Sequence, residues 1–280
     1  MKIFLICNVK SKYNLSTRLE LFESELKLRN LDFEVLDPLN FDEISFDFNL
    51  DYKVLRLSAD ILSLKLDALL RKKHDLDITS FLHRGVFESM LNLDSLNFIK
   101  TIDFVATERD HLQKQVDYLG GFPLVLKENS ASRGVGVIKV DSMHGLFSKL
   151  DFLRANGFYD LQLKQYFEHK YQYRVMIAFG KLIGSIRITT LDEEFRSNVA
   201  INKRVKEKIL IDLDPKILND CMKYFKLRGA DFIGIDVLVN QNGDYCLIEG
   251  NAPCDFLLMN RLTGGMVPAL IIDAMLENKL

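Results

Sequence analysis

The segment that most constrains the fold of this chain is a pair of apolar runs joined by Asn242-Gly243 near the C-terminus. The runs are GIDVLV (residues 234–239) and YCLIEGN (residues 245–251). Asn-Gly between two β-rich runs is the strongest short-range signal for a hairpin with a two-residue type I′ turn. With that turn, the predicted register opposes Val239 with Cys246, Val237 with Ile248, and Asp236 with Glu249.

Two carboxylates therefore project from the same face of the predicted hairpin. Residues that oppose each other have Cβ atoms ~5 Å apart, and Asn251 lies two residues beyond Glu249 on the same face. Like charges this close destabilise a sheet unless a cation lies between them. Two carboxylates and one amide form an all-oxygen set that suits Mg²⁺. The alternative is that Asp236 and Glu249 pair with nearby lysines or arginines.

A second motif begins with the apolar strand FPLVLK, which ends at Lys127, and continues through a Ser- and Gly-containing loop to Gly136. Glycine and serine let backbone N–H groups approach phosphate oxygens, and a lysine on a strand adds a fixed positive charge. The loop is not a P-loop, since no GK[ST] follows, and it does not fit the dinucleotide-binding fingerprint. An ordinary flexible hairpin loop is the alternative interpretation.

The pattern along the chain alternates strand and helix up to about residue 100 and turns to hairpins from Phe122 onward. The first part predicts a small α/β domain with a partly parallel sheet. The predicted strands are Lys2–Val9, Phe33–Leu36, Tyr52–Leu57, Pro123–Lys127, Val135–Val140, Tyr173–Phe179, Lys181–Thr190 and the two of the hairpin. The predicted helices are Thr17–Asn30, Ser58–Lys73, Ser142–Ala155, Pro215–Arg228 and Met266–Leu276.

Composition excludes several classes of function. A net charge of -2 over 280 residues argues against a nucleic-acid partner, which requires a clear basic excess on one face. No apolar stretch approaches the ~20 residues that span a bilayer, so no membrane partner is expected. The four cysteines form no CxxC pair, which indicates reduced thiols in a cytosolic protein.

The order of the motifs closely resembles the ATP-grasp fold and, within it, the RimK-like group that joins amino acids to peptides or small acids. The segments that carry the resemblance are PLVLK (123–127), GVGV (134–137), QYFE (165–168), YRV (173–175), SIR (185–187), FRSN (195–198), GID (234–236) and EGNAP (249–253). It covers about residues 105–280. It implies an α/β fold with a small N-terminal α/β domain (1–104), a lobe with the glycine-containing phosphate loop (105–164) and a C-terminal lobe with the metal-binding hairpin (165–280), the two α+β lobes holding ATP.

The resemblance also implies roles for individual residues. ATP phosphates would be bound by Lys127, by the loop residues Ser130, Ser132, Gly134 and Gly136, and by a second lysine, for which Lys100 is the candidate. The adenosine would be held by the backbone of Gln165, Tyr166 and Phe167 and by Glu168. The γ-phosphate and the acyl-phosphate would be neutralised by Lys127, Arg174 and Arg187, with Asn198 nearby. Mg²⁺ or Mn²⁺ would be held by Asp236, Glu249 and Asn251.

Ordinary structural roles are the alternative interpretation for several of these residues. Arg174 and Arg187 could be ion-pair partners, Glu168 a solvated strand end, and Asn198 a residue that shapes a turn. Tyr166 and Phe167 could serve the core through their side chains. The sequence also departs from the family, because no Gly-Gly pair follows Asn198 and Gln172 replaces an acid near the ribose. These departures concern the choice of substrate more than the binding of ATP.

The function implied by the resemblance is an ATP-dependent ligase that joins a carboxylate to an amine through an acyl-phosphate. Its partners would be a small-molecule or peptide carboxylate and an amine. Related enzymes often form dimers or tetramers, so a homo-oligomer is one expectation. The alternatives are a kinase on the same fold, a non-catalytic ATP-binding regulatory protein, and an α/β binding module without a nucleotide.

Overall fold

The computed structural model describes residues 1–10, 15–72, 95–129, 136–191, 195–196 and 205–278. The strands in these ranges are β1 (Lys2–Ile6), β2 (Phe33–Leu36), β3 (Tyr52–Arg56), β4 (Thr101–Ile102), β5 (Leu124–Glu128), β6 (Val137–Val140), β7 (Leu161–Gln165), β8 (Tyr171–Ala178), β9 (Lys181–Thr190), β10 (Val205–Leu210), β11 (Phe232–Val239) and β12 (Tyr245–Asn251). The helices are α1 (Leu15–Leu28), α2 (Ile61–Lys72), α3 (Arg109–Tyr118), α4 (Met143–Ala155), α5 (Pro215–Arg228), α6 (Leu257–Leu262) and α7 (Val267–Glu277). None of these described helices combines the length and the apolar character needed to cross a bilayer.

The N-terminal sheet is parallel, with its strands in the order β2-β1-β3. Its central strand β1 is apolar on both faces because a helix covers each of them. Leu5 belongs to the same buried cluster as Phe22 and Leu26 of α1, whereas Phe4 clusters with Leu70 of α2. Alternate residues of β1 therefore anchor helices on opposite sides, and the predicted α/β character of this region is confirmed.

Strand β1 and helix α2 are both shorter than the sequence pattern predicts. Strand β1 ends at Ile6 instead of Val9, because the backbone N–H of Asn8 leaves the ladder and donates to Oγ of Ser58 over 3.0 Å. Helix α2 begins at Ile61 instead of Ser58, because Asp60 caps it: Oδ1 of Asp60 accepts from the backbone N–H of Ser63 over 3.1 Å.

The middle sheet is antiparallel, with its strands in the order β4-β7-β5-β6 and with α3 and α4 on one face. The buried cluster of that face consists of Leu112, Val116, Leu119, Leu124, Leu126, Val140, Leu146, Leu150, Leu153, Leu161 and Leu163. Side chains alternate along a strand, so Lys127 of β5 and Lys164 of β7 project from the opposite face. This opposite face, which carries Lys127 and Lys164, is called the cleft face of the middle sheet.

The C-terminal sheet contains five antiparallel strands in the order β10-β9-β8-β11-β12. Helix α5 covers one face and packs on Ile235 and Val237 of β11. Asp214 caps α5 and Gly229, with φ 60°, ends it, as the sequence predicts. On the other face, Phe232 joins the buried cluster of α1 and α7. The N-terminal and C-terminal sheets therefore share one core, whereas the middle sheet has its own.

The hairpin of β11 and β12 differs from the predicted register near its tip. Residues 240–244 form the connection, in which Asn240 N donates to Asp244 O and Oδ1 of Asn240 accepts from Asp244 N, both over 2.9 Å. The predicted pairs Val239–Cys246 and Val237–Ile248 are wrong, because the side chain of Asn240 closes a longer loop than the two-residue turn. The observed pairs are Val239 with Tyr245, Leu238 with Cys246, and Val237 with Leu247.

A β-bulge then restores the predicted register further along the hairpin. Between Leu247 and Glu249 the strand β12 contains one extra residue, Ile248, which packs against the buried cluster of Ile99, Leu238 and Cys246. Beyond it Asp236 pairs with Glu249, as predicted. The shift at the tip and the bulge cancel, so the opposed carboxylates are found where the simpler hairpin places them.

A buried ion network joins the N-terminal sheet to both ends of this hairpin. Asp67 of α2 is 5% exposed and accepts from Nε of Arg56 over 2.8 Å and from Nε of Arg71 over 2.5 Å. Arg71 also pairs with Asp231, which directly precedes β11. Nη2 of Arg56 donates to the carbonyl oxygen of Ala252, which follows β12, over 3.2 Å. The network fixes the hairpin to the N-terminal sheet.

We expect Asp67→Asn to lower the free energy of unfolding by about 3–5 kcal/mol, because it leaves the buried guanidinium of Arg56 without its countercharge and removes one of the two carboxylates that Arg71 contacts. Urea denaturation followed by circular dichroism measures the loss. Glu34→Gln is the matched control, since it removes a pair with Lys2 whose acid is 51% exposed, and should cost less than about 1 kcal/mol. Similar losses for the two variants would contradict the structural importance of the network.

The four cysteines are buried and unpaired, which confirms the prediction of free thiols. Burial raises the pKa of the Cys7 thiol to about 11 and the pKa values of Cys221, Cys246 and Cys254 to about 12. The reactive species of a cysteine is the thiolate, which is scarce at neutral pH for such groups.

The folded protein should therefore react slowly with Ellman's reagent at pH 8, whereas the protein in urea should release four equivalents of the chromophore at once. The raised pKa values and the burial of the thiols both slow the reaction with the reagent. Fast reaction of even one thiol in the folded protein would contradict this expectation.

Candidate active site

Three charged side chains lie in a row across neighbouring strands of the C-terminal sheet. Asp236 of β11 pairs in register with Arg174 of β8 on one side and with Glu249 of β12 on the other. Residues directly opposite each other project from the same face, here the face away from α5. The sequence predicts the two opposed carboxylates of the hairpin. The register of β8 adds the cation Arg174 beside them.

The carboxylate of Asp236 is completely buried and held by Arg174. Nε and Nη2 of Arg174 donate to its two oxygens, the second over 2.9 Å, which is a bidentate charge-assisted arrangement. Burial raises the pKa of Asp236; Arg174 opposes that rise and Glu249 adds to it. The Asp236–Arg174 pair is neutral as a unit, so Glu249 carries the remaining negative charge of the row.

Lys127 brings a cation from the middle sheet to Glu249. Its Nζ lies 2.5 Å from Oε2 of Glu249, and the two side chains are only 13% and 12% exposed. The other oxygen of Glu249, Oε1, accepts from Nδ2 of Asn251 over 3.4 Å. The structure thus brings together a predicted phosphate-binding lysine and two predicted metal ligands that lie far apart in sequence.

The side chains of Asp236, Glu249 and Asn251 could hold a divalent cation together with a ligand. Among the residues the structure describes, no three His, Cys, Asp or Glu side chains gather into a metal site. Mg²⁺ commonly binds through one or two carboxylates and completes its shell with water and phosphate oxygens. The donor set fits that chemistry. The ion pairs of Asp236 with Arg174 and of Glu249 with Lys127 also agree with the alternative interpretation of the sequence, in which the two carboxylates pair with nearby lysines or arginines.

An apolar cluster lies beside this row, between the middle and C-terminal sheets. It contains Leu238 and Cys246 of the hairpin and Ile99, with Ile248 and Phe167 packed against them. Small-molecule sites commonly combine apolar side chains with a few charged groups. The cluster supplies an apolar surface next to the carboxylate of Glu249 and the ammonium of Lys127.

The predicted adenosine-binding segment runs past this cluster. Gln165 ends β7, and its backbone N–H donates to the carbonyl oxygen of Lys100 over 3.0 Å. Phe167 belongs to the cluster. The ring of Tyr166 lies 4.5 Å from Nζ of Lys139. Glu168 is exposed, as the solvated alternative requires, and its assignment to the ribose stays a prediction.

Lys100 is not brought to the other site residues. The neighbouring Thr101 pairs with Lys164 of the cleft face, so Lys100 projects from the opposite face. Its Nζ lies 5.2 Å from the centre of the Tyr118 ring and 3.3 Å from the Tyr118 carbonyl oxygen. Tyr118 ends helix α3, on the covered side of the middle sheet.

Arg187 is also separated from the carboxylates. It pairs with Tyr173, whereas Arg174 pairs with Ile186, so the two arginines project from opposite faces of the C-terminal sheet. The guanidinium of Arg187 lies 4.9 Å from the centre of the Tyr171 ring, and Nη2 lies 3.2 Å from Oε2 of Glu207. These contacts match the ion-pair alternative.

The phosphate loop is only partly within the described ranges. The predicted phosphate-binding residues Ser130, Ser132 and Gly134, and Asn198, lie outside the described residues. Gly136 adopts φ 73°, a conformation that favours glycine. Its carbonyl oxygen accepts from the backbone N–H of Glu128 over 3.1 Å, which brings the two ends of the loop together.

Sequence reasoning missed Lys164. This residue is 6% exposed on the cleft face, and its Nζ lies 3.4 Å from the carbonyl oxygen of Ile248. The signal was available in the run LQLK, because Leu161 and Leu163 face the core under α3 and α4. Strict alternation then assigns Gln162 and Lys164 to the cleft face.

A sequence profile of the RimK-like ATP-grasp domain matches residues 87–275. The chain is similar to the probable alpha-L-glutamate ligase 2 of Pseudoalteromonas atlantica, with 24% identity over 176 residues, 62% of this chain and 56% of that protein. It is also similar to N-acetylaspartylglutamate synthase A of Mus musculus, with 28% identity over 153 residues, 55% of this chain and 40% of that protein. The chain spans about half the length of these relatives.

Solved structures of low sequence identity have the same fold. D-alanine–D-alanine ligase from Bacillus anthracis complexed with ATP superposes with a TM-score of 0.69 at 18% identity, covering 99% of this chain and 97% of that one. The macrocyclase MdnC from Microcystis aeruginosa, bound with its precursor peptide MdnA, gives a TM-score of 0.64 at 13% identity, covering 98% and 100%. The predicted ATP-grasp fold is confirmed.

The strand that carries Glu249 and Asn251 has no room for a side chain at Gly250. A Cβ atom there would lie 2.5 Å from Cε1 of Tyr224 and 2.7 Å from Cδ1 of Ile233. We expect Gly250→Ala to destabilise the protein by roughly 1–3 kcal/mol, because neither neighbour is free to move in the core under α5.

Thermal denaturation compares this variant with Gly243→Asn at the tip of the same hairpin. Gly243 has φ 87° and open space around its Cα, and asparagine tolerates that conformation. The tip variant should lose less stability than Gly250→Ala, because it meets backbone strain at a positive φ but no steric clash. A melting temperature of Gly250→Ala equal to that of the wild type would show that β12 is less tightly packed than described.

Proposed function

Because the chain belongs to the RimK-like ATP-grasp family, we propose that it is an ATP-dependent carboxylate–amine ligase that forms an acyl-phosphate and releases ADP and phosphate. The observation that carries the proposal is the meeting of Lys127 with Glu249 beside the Asp236–Arg174 pair. A lysine of one lobe and the carboxylates of the other face each other at the end of an apolar cluster. A lysine and carboxylates placed in this way suit a nucleoside triphosphate with its divalent cation.

ATP would lie between the middle and C-terminal sheets. The adenine ring would pack in the apolar cluster against Leu238, Ile248 and Phe167, and the phosphates would extend toward Lys127 and Glu249. Asp236, Glu249 and Asn251 would hold Mg²⁺ or Mn²⁺, which when bound supplies charge neutralisation and orientation for the phosphate oxygens.

Phosphoryl transfer requires little covalent work from side chains, so positioning and charge compensation carry the step. Lys127 would exchange its contact with Glu249 for a phosphate oxygen. Arg174 holds Asp236 in one orientation through two hydrogen bonds and adds positive charge to the row. The geometry favours these two cations over Arg187, which lies on the other face of the sheet.

The substrate carboxylate would attack the γ-phosphate, and the amine would then attack the resulting acyl-phosphate and release phosphate. Water must be kept from that mixed anhydride, because hydrolysis would waste the ATP. The sequence between Lys127 and Gly136, which contains serines and a glycine, is our candidate for this task.

The names of the relatives support a choice of the first amine to test. A probable alpha-L-glutamate ligase, an N-acetylaspartylglutamate synthase and a beta-citrylglutamate synthase B of Homo sapiens are among them. All three names contain a glutamate unit, so glutamate is the first amine to test. A peptide or a small acid would supply the carboxylate, and MdnC, which binds a precursor peptide, supports the inclusion of peptides.

The deciding experiment measures phosphate release from Mg·ATP over a panel of acids, peptides and amines, with mass spectrometry of every mixture. Release that depends on both substrates, with a product mass equal to their sum minus water, is the expected result. A product heavier by one phosphoryl group would make the protein a kinase. ATP binding without turnover across the panel would favour the regulatory alternative.

Glu249→Gln should reduce turnover by roughly two orders of magnitude or more, because the amide removes the negative charge that the cation and Lys127 share. Binding of Mn²⁺ in the presence of ATP, followed by electron paramagnetic resonance, should weaken in parallel.

Glu277→Gln is the matched control, since Glu277 is 61% exposed in a surface pair with Lys181. It should retain wild-type turnover and Mn²⁺ binding. Wild-type Mn²⁺ binding by Glu249→Gln would exclude Glu249 as a metal ligand.

A further inference from the structure

We propose that Arg56 of the N-terminal sheet is a positioning residue of the candidate metal site and acts on the side chain of Asn251 through the backbone of Ala252. The inference rests on the proposed function, because it requires a divalent cation held by Asp236, Glu249 and Asn251. It gives the N-terminal sheet a part in metal binding, in addition to its structural contacts with the hairpin.

The first observation is that the three candidate metal ligands are held in different ways. Asp236 lies on the interior strand β11 and is fixed by a bidentate ion pair. Glu249 contacts Lys127 of the middle sheet. Asn251 is the last residue of β12, which is the last strand in the order of the C-terminal sheet. The contacts of the residue that follows Asn251 therefore affect the orientation of its side chain.

The second observation is the way in which the guanidinium of Arg56 is fixed. Arg56 ends β3, pairs with Ile6 of the central strand β1, and has a side chain that is only 10% exposed. Its Nε donates to Oδ2 of Asp67 over 2.8 Å, and its Nη1 donates to the carbonyl oxygen of Ser58 over 2.9 Å. The guanidinium is planar, so it cannot turn without losing both of these contacts.

The third nitrogen of this fixed group contacts the residue that follows Asn251. Nη2 of Arg56 donates to the carbonyl oxygen of Ala252 over 3.2 Å. The peptide unit that joins Asn251 to Ala252 is planar, so a fixed Ala252 leaves the backbone of Asn251 little freedom to rotate. Arg56 thereby restricts the direction in which the amide of Asn251 leaves the strand.

The chain beyond Ala252 is also packed, so it does not absorb a displacement of that residue. A Cβ atom at Gly234 would lie only 2.7 Å from Cβ of Cys254, which shows how closely this segment approaches β11. Nη2 of Arg18 in α1 lies 3.0 Å from Oδ2 of Asp255. Residues 252–255 are therefore held by the N-terminal sheet, by the C-terminal sheet and by α1.

Arg71 offers a matched comparison within the same buried network. Its side chain is 15% exposed, and its Nε contacts the other oxygen of Asp67 over 2.5 Å. Its further contacts among the described residues are with Asp231 and with the carbonyl oxygen of Val54. A change at Arg71 therefore disturbs the network without removing the hydrogen bond to Ala252.

The test measures Mn²⁺ binding in the presence of ATP by electron paramagnetic resonance for Arg56→Lys and Arg71→Lys. Lysine keeps a positive charge beside Asp67, but one ammonium cannot reproduce the three directions of the guanidinium. The dissociation constant of Mn²⁺ should rise about tenfold for Arg56→Lys, as is typical when a group that orients a metal ligand is lost, and should stay within about twofold of the wild type for Arg71→Lys. If Arg56→Lys does not fold, as judged by circular dichroism, Arg56→Gln is measured in its place with the same expectation.

A double-mutant cycle tests whether the effect passes through Asn251. Asn251→Ala removes the amide, so adding Arg56→Lys to it should not weaken Mn²⁺ binding further. A change that only destabilised the protein would weaken binding in both backgrounds. A second loss in the Asn251→Ala background would therefore overturn the proposed route.

The remaining outcomes separate this inference from the function on which it rests. Wild-type Mn²⁺ affinity of Arg56→Lys, in a protein that does bind Mn²⁺ with ATP, overturns the positioning role and leaves the proposed function standing. Equal losses for Arg56→Lys and Arg71→Lys also overturn it, because the effect would then belong to the network as a whole. Absence of Mn²⁺ binding by the wild type overturns the metal site and both proposals.

Discussion

The rest of the site depends on how the completely buried charge of Asp236 is compensated. A buried carboxylate is tolerated only when it is paired and hydrogen-bonded, and Arg174 provides both from the neighbouring strand. Glu249, on the other neighbouring strand, adds a second negative charge that Lys127 of the middle sheet meets. One row of charges therefore determines where the middle sheet contacts the hairpin and where a cation and its phosphates could be held.

The three sheets around this row of charges do not share a single apolar core. The N-terminal and C-terminal sheets share one core, and the network around Asp67 joins them further. The middle sheet has its own core under α3 and α4. It reaches the hairpin through a small apolar cluster, two lysines, and the hydrogen bonds of Leu247 with the backbone of Asn97 and Ile99. The division at residues 105 and 165 stays a prediction, and β4 (Thr101–Ile102) already belongs to the middle sheet.

The candidate site could be predicted only where local pattern decides geometry. The opposed pair Asp236 and Glu249 was predicted correctly from a turn that was wrong, because the bulge at Ile248 compensates for the longer loop closed by Asn240. Neither the longer loop nor the bulge has a sequence signal as strong as Asn-Gly. Lys100 was a reasonable candidate by its place in the motif order, but that order does not state which face of a sheet a residue occupies. Pairing of Thr101 with Lys164 decides it.

The sequence by itself determined the elements with strong local signals: the helix from Pro215 to Gly229, the strand Phe33–Leu36, and the hairpin that carries the carboxylates. Its order of motifs also pointed to the family. Only the tertiary structure decided which charges meet, because Lys127 and Glu249 lie on different sheets, and Arg174 and Arg187 are separated by the register of β8 against β9. Periodicity specifies alternation within one strand. The relative register of strands, and the approach of one sheet to another, are set by packing over the whole core.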